Sequence, residues 1–235
     1  MSEENGIVFL LDCDNTLLDN DRVQQDLRMH MESQFGLASA ERYWQLFEQL
    51  RTELGYADYL GALQRYRDQD VCDMRLLRMS SFLLDYPFSE RLYPQALELI
   101  AHLGAFGNCV MLSDGDVVFQ PHKVERAGLW HALAGRVLIY IHKECMLDEV
   151  VRRYPCQHYV MVDDKPRLLD AIKRQWGPRV TTVFVRQGHY ALAPHDMALL
   201  EPDITIDAIG DLMHVDLADL RESTSATSNT GSTSL

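Results

Sequence analysis

The chain has 235 residues and a mass of 27.0 kDa, enough to bury a full core as one domain or as one domain carrying an insertion. Its net charge of -13 works against binding nucleic acid or an anionic membrane surface, so a small anionic substrate needs local positive charge. The five cysteines, at 13, 72, 109, 145 and 156, form no C-x-x-C pair; this argues against a disulfide framework or a zinc knuckle and fits reducing cytoplasm. The N-terminal "MSEENG" is acidic where a signal peptide is basic, and no apolar run approaches the roughly 18 residues that span a bilayer. The expectation is a cytoplasmic protein without nucleic-acid or membrane partners; oligomeric state is not written in the sequence.

The first expected element is a buried strand, "IVFLL" (7–11), which runs into the acidic turn "DCDNT". From about 20 to 88 the pattern is helix after helix: "DRVQQDLRMHMESQFG", "SAERYWQLFEQLRTELG", "ADYLGALQRYRDQ" and "MRLLRMSSFLLDY". A further helix, "PQALELIAHLGAFG", carries apolar residues at 96, 97, 99, 100 and 103 and stops at Gly104. The strands "CVMLS" (109–113), "YVMV" (159–162) and "TTVFV" (181–185) follow, with the helices "KECMLDEVVRRY" and "KPRLLDAIKRQWG" between them. Continuous apolar runs mark strands covered on both faces, and their alternation with helices predicts an α/β parallel sheet built by right-handed crossovers. The expected division is a catalytic core at 1–19 and 89–222, an all-helical insertion at 20–88, and a disordered polar tail at 223–235. The four lysines, at 123, 143, 165 and 173, all lie in the strand-rich part.

In an open parallel sheet, chemistry collects in the crevice at the carboxyl ends of the strands. The first strand delivers Asp12 and Asp14 there, the second Ser113, the turn after "VLIYIH" Lys143, and the third apolar strand Asp163 and Asp164. Taken singly, each has a structural reading as a helix cap, a turn residue or a solvated cation. Together, four carboxylates at one edge repel one another unless a cation sits among them. Oxygen-only ligands suit Mg2+, which usually takes one or two carboxylates, keeps waters and binds a substrate phosphate. In an extended segment Asp12 and Asp14 share a face, so one can attack as nucleophile while the other serves as acid and then base; Cys13 points elsewhere, as packing.

At this point "DCDNT" (12–16), "LSDG" (112–115), Lys143 and "VDDKP" (162–166) resemble, in order and spacing, the four motifs of the haloacid dehalogenase-like hydrolases. "EPDITIDAIGDL" (201–212) is similar to that family's last strand and helix. The resemblance implies a Rossmann-like core with a helical cap inserted after the first motif. It implies Asp12 as nucleophile and Mg2+ ligand, the Asp14 carbonyl also on the metal, and the Asp14 side chain as proton shuttle. Ser113 and Lys143 hold the phosphoryl oxygens, with Asp114 beside them at the substrate, and Asp163 and Asp164 complete the metal site. Aligning the second acid with the family's metal-binding aspartate favours Asp164 for direct contact. The leading expectation is a Mg2+-dependent phosphatase of a small phosphorylated metabolite. The alternatives are a 2-haloacid dehalogenase, which lacks the second acid of the first motif, a phosphomutase, or a non-catalytic phosphate-binding module. Asn15 is expected to stabilise the turn after the first strand.

Overall fold

The computed structural model describes residues 6–69, 74–192 and 198–221; the polar tail and Cys72 lie outside them. Six strands form one parallel sheet in the order β3-β2-β1-β4-β5-β6. They are β1 (Ile7–Leu11), β2 (Gly107–Asp114), β3 (Val137–Tyr140), β4 (His158–Asp163), β5 (Val180–Val185) and β6 (Ile204–Ile206). The α/β parallel sheet expected from the alternation, and the Rossmann-like core that the resemblance implies, are both observed.

All five residues of β1 are buried, which places it in the middle of the sheet. Its period-2 alternation sends Ile7, Phe9 and Leu11 to one face with Cys109, Met111, Val160 and Val162. Val8 and Leu10 go to the other face with Val110, Leu112, Tyr159 and Met161. A fully buried side chain of this size stabilises by about 1.5–3 kcal/mol, so each strand is committed to both layers at once.

Among the described residues, four α-helices come first after β1, α1 (Asn20–Phe35), α2 (Leu37–Leu54), α3 (Tyr59–Gln69) and α4 (Leu76–Leu84), as the helical periodicity predicts. Val23, Leu27 and Met31 recur at i, i+4 along the buried side of α1, and the Tyr43 hydroxyl donates to the Tyr59 carbonyl at 3.0 Å, tying α2 to α3. Leu18 and Leu92 pair where the chain leaves and re-enters the sheet region. Next come α5 (Ala96–Leu103), α6 (Phe119–Arg126), α7 (Leu129–Ala132), α8 (Leu147–Arg153), α9 (Pro166–Trp176) and α10 (Leu217–Arg221). Helices α8 and α9 cover the Val8 and Leu10 face through Leu147, Val150, Leu169 and Ile172. On the opposite face the core is continuous from α5, α6 and α7 into α1 to α4. Aromatic rings join them: Phe47 lies 4.8 Å from Tyr59, Tyr59 5.3 Å from Phe119, and Phe119 5.8 Å from Phe88.

Two local expectations need correction, and two helices were not expected. "KECMLDEVVRRY" is not one helix: His142 adopts φ 58, the chain makes a 3-10 turn over Lys143–Cys145, and α8 starts only at Leu147. The last segment ends in a 3-10 helix, Ile209–His214, after β6. Helices α6 and α7 have no counterpart in the sequence reading because both are short and Pro121 sits in α6; there it occupies the first turn, where its missing N–H costs nothing. No helix among the described residues is long and apolar enough to cross a membrane.

Candidate active site

The strand order reverses beside β1, where β2 and β3 lie on one side and β4 to β6 on the other; the crevice of such a sheet opens there. Asp12 follows β1 directly, and its backbone N–H donates to the Val162 carbonyl at 3.0 Å, which holds it against the end of β4. Asp163 is the last residue of β4 and Asp164 the next. Ser113 and Asp114 end β2.

Lys143 arrives from the 3-10 turn after β3. Its side chain is 0% exposed, with Nζ 2.6 Å from Asp12 Oδ1, 2.6 Å from Asp163 Oδ2 and 3.1 Å from the Leu112 carbonyl oxygen. Its backbone N–H donates to Asp114 Oδ1 at 2.7 Å, so Asp114 anchors the turn that delivers the ammonium. Burial disfavours the charged lysine, but the Asp12 and Asp163 carboxylates outweigh it and hold the Lys143 pKa above its usual value. Burial likewise opposes ionisation of Asp12, and Lys143 with Lys165 overcomes it, leaving that carboxyl below its usual range.

Asp12, Asp163 and Asp164 bring carboxylate oxygens within 4.8 Å of one another. Asp163 is engaged: besides Lys143, its Oδ1 accepts the Lys165 N–H at 2.9 Å. Burial raises its pKa nonetheless, against the pull of Lys143. Asp164 is 0% exposed, and neither of its oxygens has a hydrogen-bond partner among the described residues; Asp12 Oδ2 is equally open. Burial first, and then the neighbouring Asp163 and Asp12 charges, push the Asp164 carboxyl up to about 9. Buried polar atoms are almost always satisfied, so open oxygens converging from two strand ends fit a hard divalent cation with oxygen ligands.

The Asp14 side chain stands apart from this triad and is 25% exposed. Its Oδ1 lies 2.5 Å from Lys123 Nζ, and its Oδ2 accepts from Gln120 Nε2 at 3.4 Å. Gln120 Nε2 also donates to Ser113 Oγ at 3.0 Å, joining the second motif to the first. Asn15 stabilises the turn as expected: at φ 62 its Oδ1 accepts the N–H groups of Asn20 at 3.0 Å and Asp21 at 3.1 Å, starting α1. Cys13 is buried packing whose thiol burial pushes up, away from reactivity.

A cavity of about 210 Å³ lies over this edge, with Asp14, Asn15, Asp114 and Lys165 on the sheet side and Gln24, Arg51 and Tyr56 on the helical side. Of the motif residues, Asp14 and Asp114 line this cavity; Asp12, Lys143 and Asp163 join Asp114 behind it through the Lys143 contacts, and Ser113 joins Asp14 through Gln120. Sequence reasoning passed over Gln120, Lys123 and Lys165. The available signal for the first two was their i, i+3 spacing just after the second motif; for Lys165 it was adjacency to the acid pair.

No family model and no curated protein matches the chain. Solved structures do. A crystal structure from Burkholderia xenovorans LB400, assigned to the haloacid dehalogenase-like hydrolases, is 62% identical with a TM-score of 0.85, covering 90% of this chain and 99% of its own. With the sheet and site above, that likeness identifies this chain as a member of the haloacid dehalogenase-like hydrolase family. Two more distant structures share the fold. The L-2-haloacid dehalogenase of Xanthobacter autotrophicus, solved with chloropropionic acid covalently bound, is 20% identical at TM-score 0.57, covering 90% of this chain and 97% of its own. The magnesium-bound YfnB of Bacillus subtilis is 13% identical at TM-score 0.59, covering 91% and 98%.

Proposed function

We propose that this hydrolase is a Mg2+-dependent phosphatase acting on a small phosphorylated metabolite through an aspartyl-phosphate on Asp12. In this reading residues 20–88 serve as the cap over a catalytic core of residues 1–19 and 89–222. The observation that carries it is Asp164, a buried carboxyl with both oxygens open beside Asp12 and Asp163, the two acids that share the Lys143 ammonium. A magnesium-bound relative of the same fold supports the choice of ion. Mg2+ would be held by Asp12, Asp164 and the Asp14 carbonyl, with Asp163 beside them, and would supply neutralisation of the phosphoryl oxygens.

Asp12 is kept ionised by Lys143, which occupies Oδ1 and leaves Oδ2 open. Its carboxylate attacks phosphorus as the bond to the leaving oxygen breaks. Asp14 gives that oxygen its proton, then takes one from the water that attacks the acyl phosphate, which frees phosphate and restores Asp12. Ser113 and Lys143 offset charge as it moves from Asp12 onto the phosphoryl oxygens. The second carboxylate speaks against dehalogenation, which by the family resemblance proceeds without it.

The test is a panel of phosphate esters and 2-haloacids offered to the purified protein with Mg2+ or with EDTA. Phosphate release that disappears on chelation is expected. Turnover in metal-free buffer, or halide release without phosphate release, would overturn the proposal.

A further inference from the structure

Helix α6 carries two polar side chains that packing alone does not explain. Gln120 is buried and Lys123 is 1% exposed, one turn apart on the same face. An apolar residue at 123 would fill the space without the cost of taking an ammonium out of water, so the reason for a lysine lies in what Nζ touches. It touches Asp14 Oδ1 at 2.5 Å and Asn20 Oδ1 at 3.3 Å. Gln120 takes the other Asp14 oxygen at 3.4 Å and Ser113 Oγ at 3.0 Å. Each oxygen of one carboxylate is thus held from the same helix face, behind the cavity that Asp14 lines.

The helix that supplies these groups is itself anchored. Phe119 packs between Tyr59 at 5.3 Å and Phe88 at 5.8 Å, and the His122 ring meets the Leu84 carbonyl at 2.6 Å. Lys123 also reaches Asn20, the first residue of α1, so it joins the Asp14 turn to the start of the helical insertion. Lys123 does not line the cavity, so it is not placed to contact a substrate there.

We propose that Lys123, assisted by Gln120, is a positioning residue that fixes the Asp14 carboxylate in the orientation for exchanging a proton with the leaving oxygen and with water. The assignment rests on the phosphatase reading for what Asp14 does, while the positioning is a property of the protein itself. A proton shuttle works only within hydrogen-bond reach of its target, and a misplacement of about 1 Å can cost about 10²-fold in rate.

The experiment compares Lys123→Met, Gln120→Leu, Asp14→Asn and the double variant Lys123→Met/Asp14→Asn, using aryl and alkyl phosphates, together with a crystal structure of Lys123→Met. The expected loss in Lys123→Met is about 10²-fold in kcat on the alkyl ester and smaller on the aryl ester, whose leaving group needs little protonation. KM and the Mg2+ concentration for half-maximal rate should not change, the double variant should be no slower than Asp14→Asn, and Asp14 should occupy a different rotamer or several. Losses that multiply in the double variant, or an unmoved Asp14 in the crystal structure, would overturn the proposal. Gln120→Leu removes no charge and covers the case in which Lys123→Met does not fold: a smaller loss with the same leaving-group pattern supports the clamp, and an unchanged profile counts against it. If Asp14→Asn itself leaves hydrolysis intact, the acid/base reading fails separately, and the position of Asp14 in the variant structure still decides the positioning role.

Discussion

Replacing Asp164 by asparagine should make the metal-free protein more stable while removing its response to Mg2+. The carboxyl titrates at about 9 in the folded protein against a reference of 3.8. Between those values the unfolded chain has released its proton and the folded chain has not, so stability falls as pH rises from about 4 to about 9. Each pH unit is worth about 1.4 kcal/mol, which at pH 7 amounts to about 4 kcal/mol lost through this one group. Asparagine is neutral throughout and escapes that loss, but it buries an amide without partners at a cost of about 1–3 kcal/mol. The net gain at pH 7 is about 2 kcal/mol, a rise of about 6 °C in Tm for a chain of this length. At pH 5, little above the unfolded value, most of that loss has not yet set in and the remainder is about the cost of the buried amide, so the two proteins should melt close together. Thermal melts in EDTA at pH 5 and pH 8, repeated with Mg2+, make the measurement. The gap should open toward pH 8, and Mg2+ should raise the wild type and leave Asp164→Asn where it was. A gap independent of pH, or a variant that melts lower than wild type at pH 8 in EDTA, would refute the account of Asp164 as an open, costly carboxyl.

Asp12→Asn should abolish turnover and any trapped acyl phosphate. Asp14→Asn should lose about 10²- to 10⁴-fold on alkyl esters, with an aryl ester giving a burst of phenol in rapid quench; equal losses on both esters would sink its acid/base role. Lys143→Met should strand Asp12 and Asp163 without the ammonium that now lies 2.6 Å from each, lowering stability by about 3–5 kcal/mol in urea titrations at pH 7. Acidification should return part of that stability, because both carboxyls can then bury as neutral groups; an unchanged midpoint would contradict the ion-pair geometry. Gly188→Ala should lower Tm and rate together, since Gly188 sits at φ 66 and a Cβ there would come 2.6 Å from Asn15 Cβ. An unaltered melting curve would show that the loop moves aside.

Much of the site could be read along the chain because its parts are local. A run such as "IVFLL" must be buried on both faces, parallel strands end at a common edge, and the acids that follow β1 and β4 therefore meet there. The helices α1 to α4 were equally legible, since helical periodicity needs no partner to be seen. Short elements were not: α6 spans only eight residues with a proline among them, and the turn at Lys143 depends on His142 entering the left-handed region, which a strand-then-helix pattern does not register.

By itself, then, the sequence determined which residue types end each strand, and so the acids, hydroxyl and lysine of the site. Only the tertiary structure decided which partner each of them meets. Asp163 and Asp164 are neighbours of identical chemistry, yet Lys143 lies on Asp163 and leaves both oxygens of Asp164 open, because consecutive side chains at a strand end point in different directions. Lys123 and Asp14 are 109 positions apart, and their contact exists because aromatic packing presses α6 against the helical insertion. Periodicity tells a side chain which face to bury; the partner it finds there depends on which other segment the core brings to the same place.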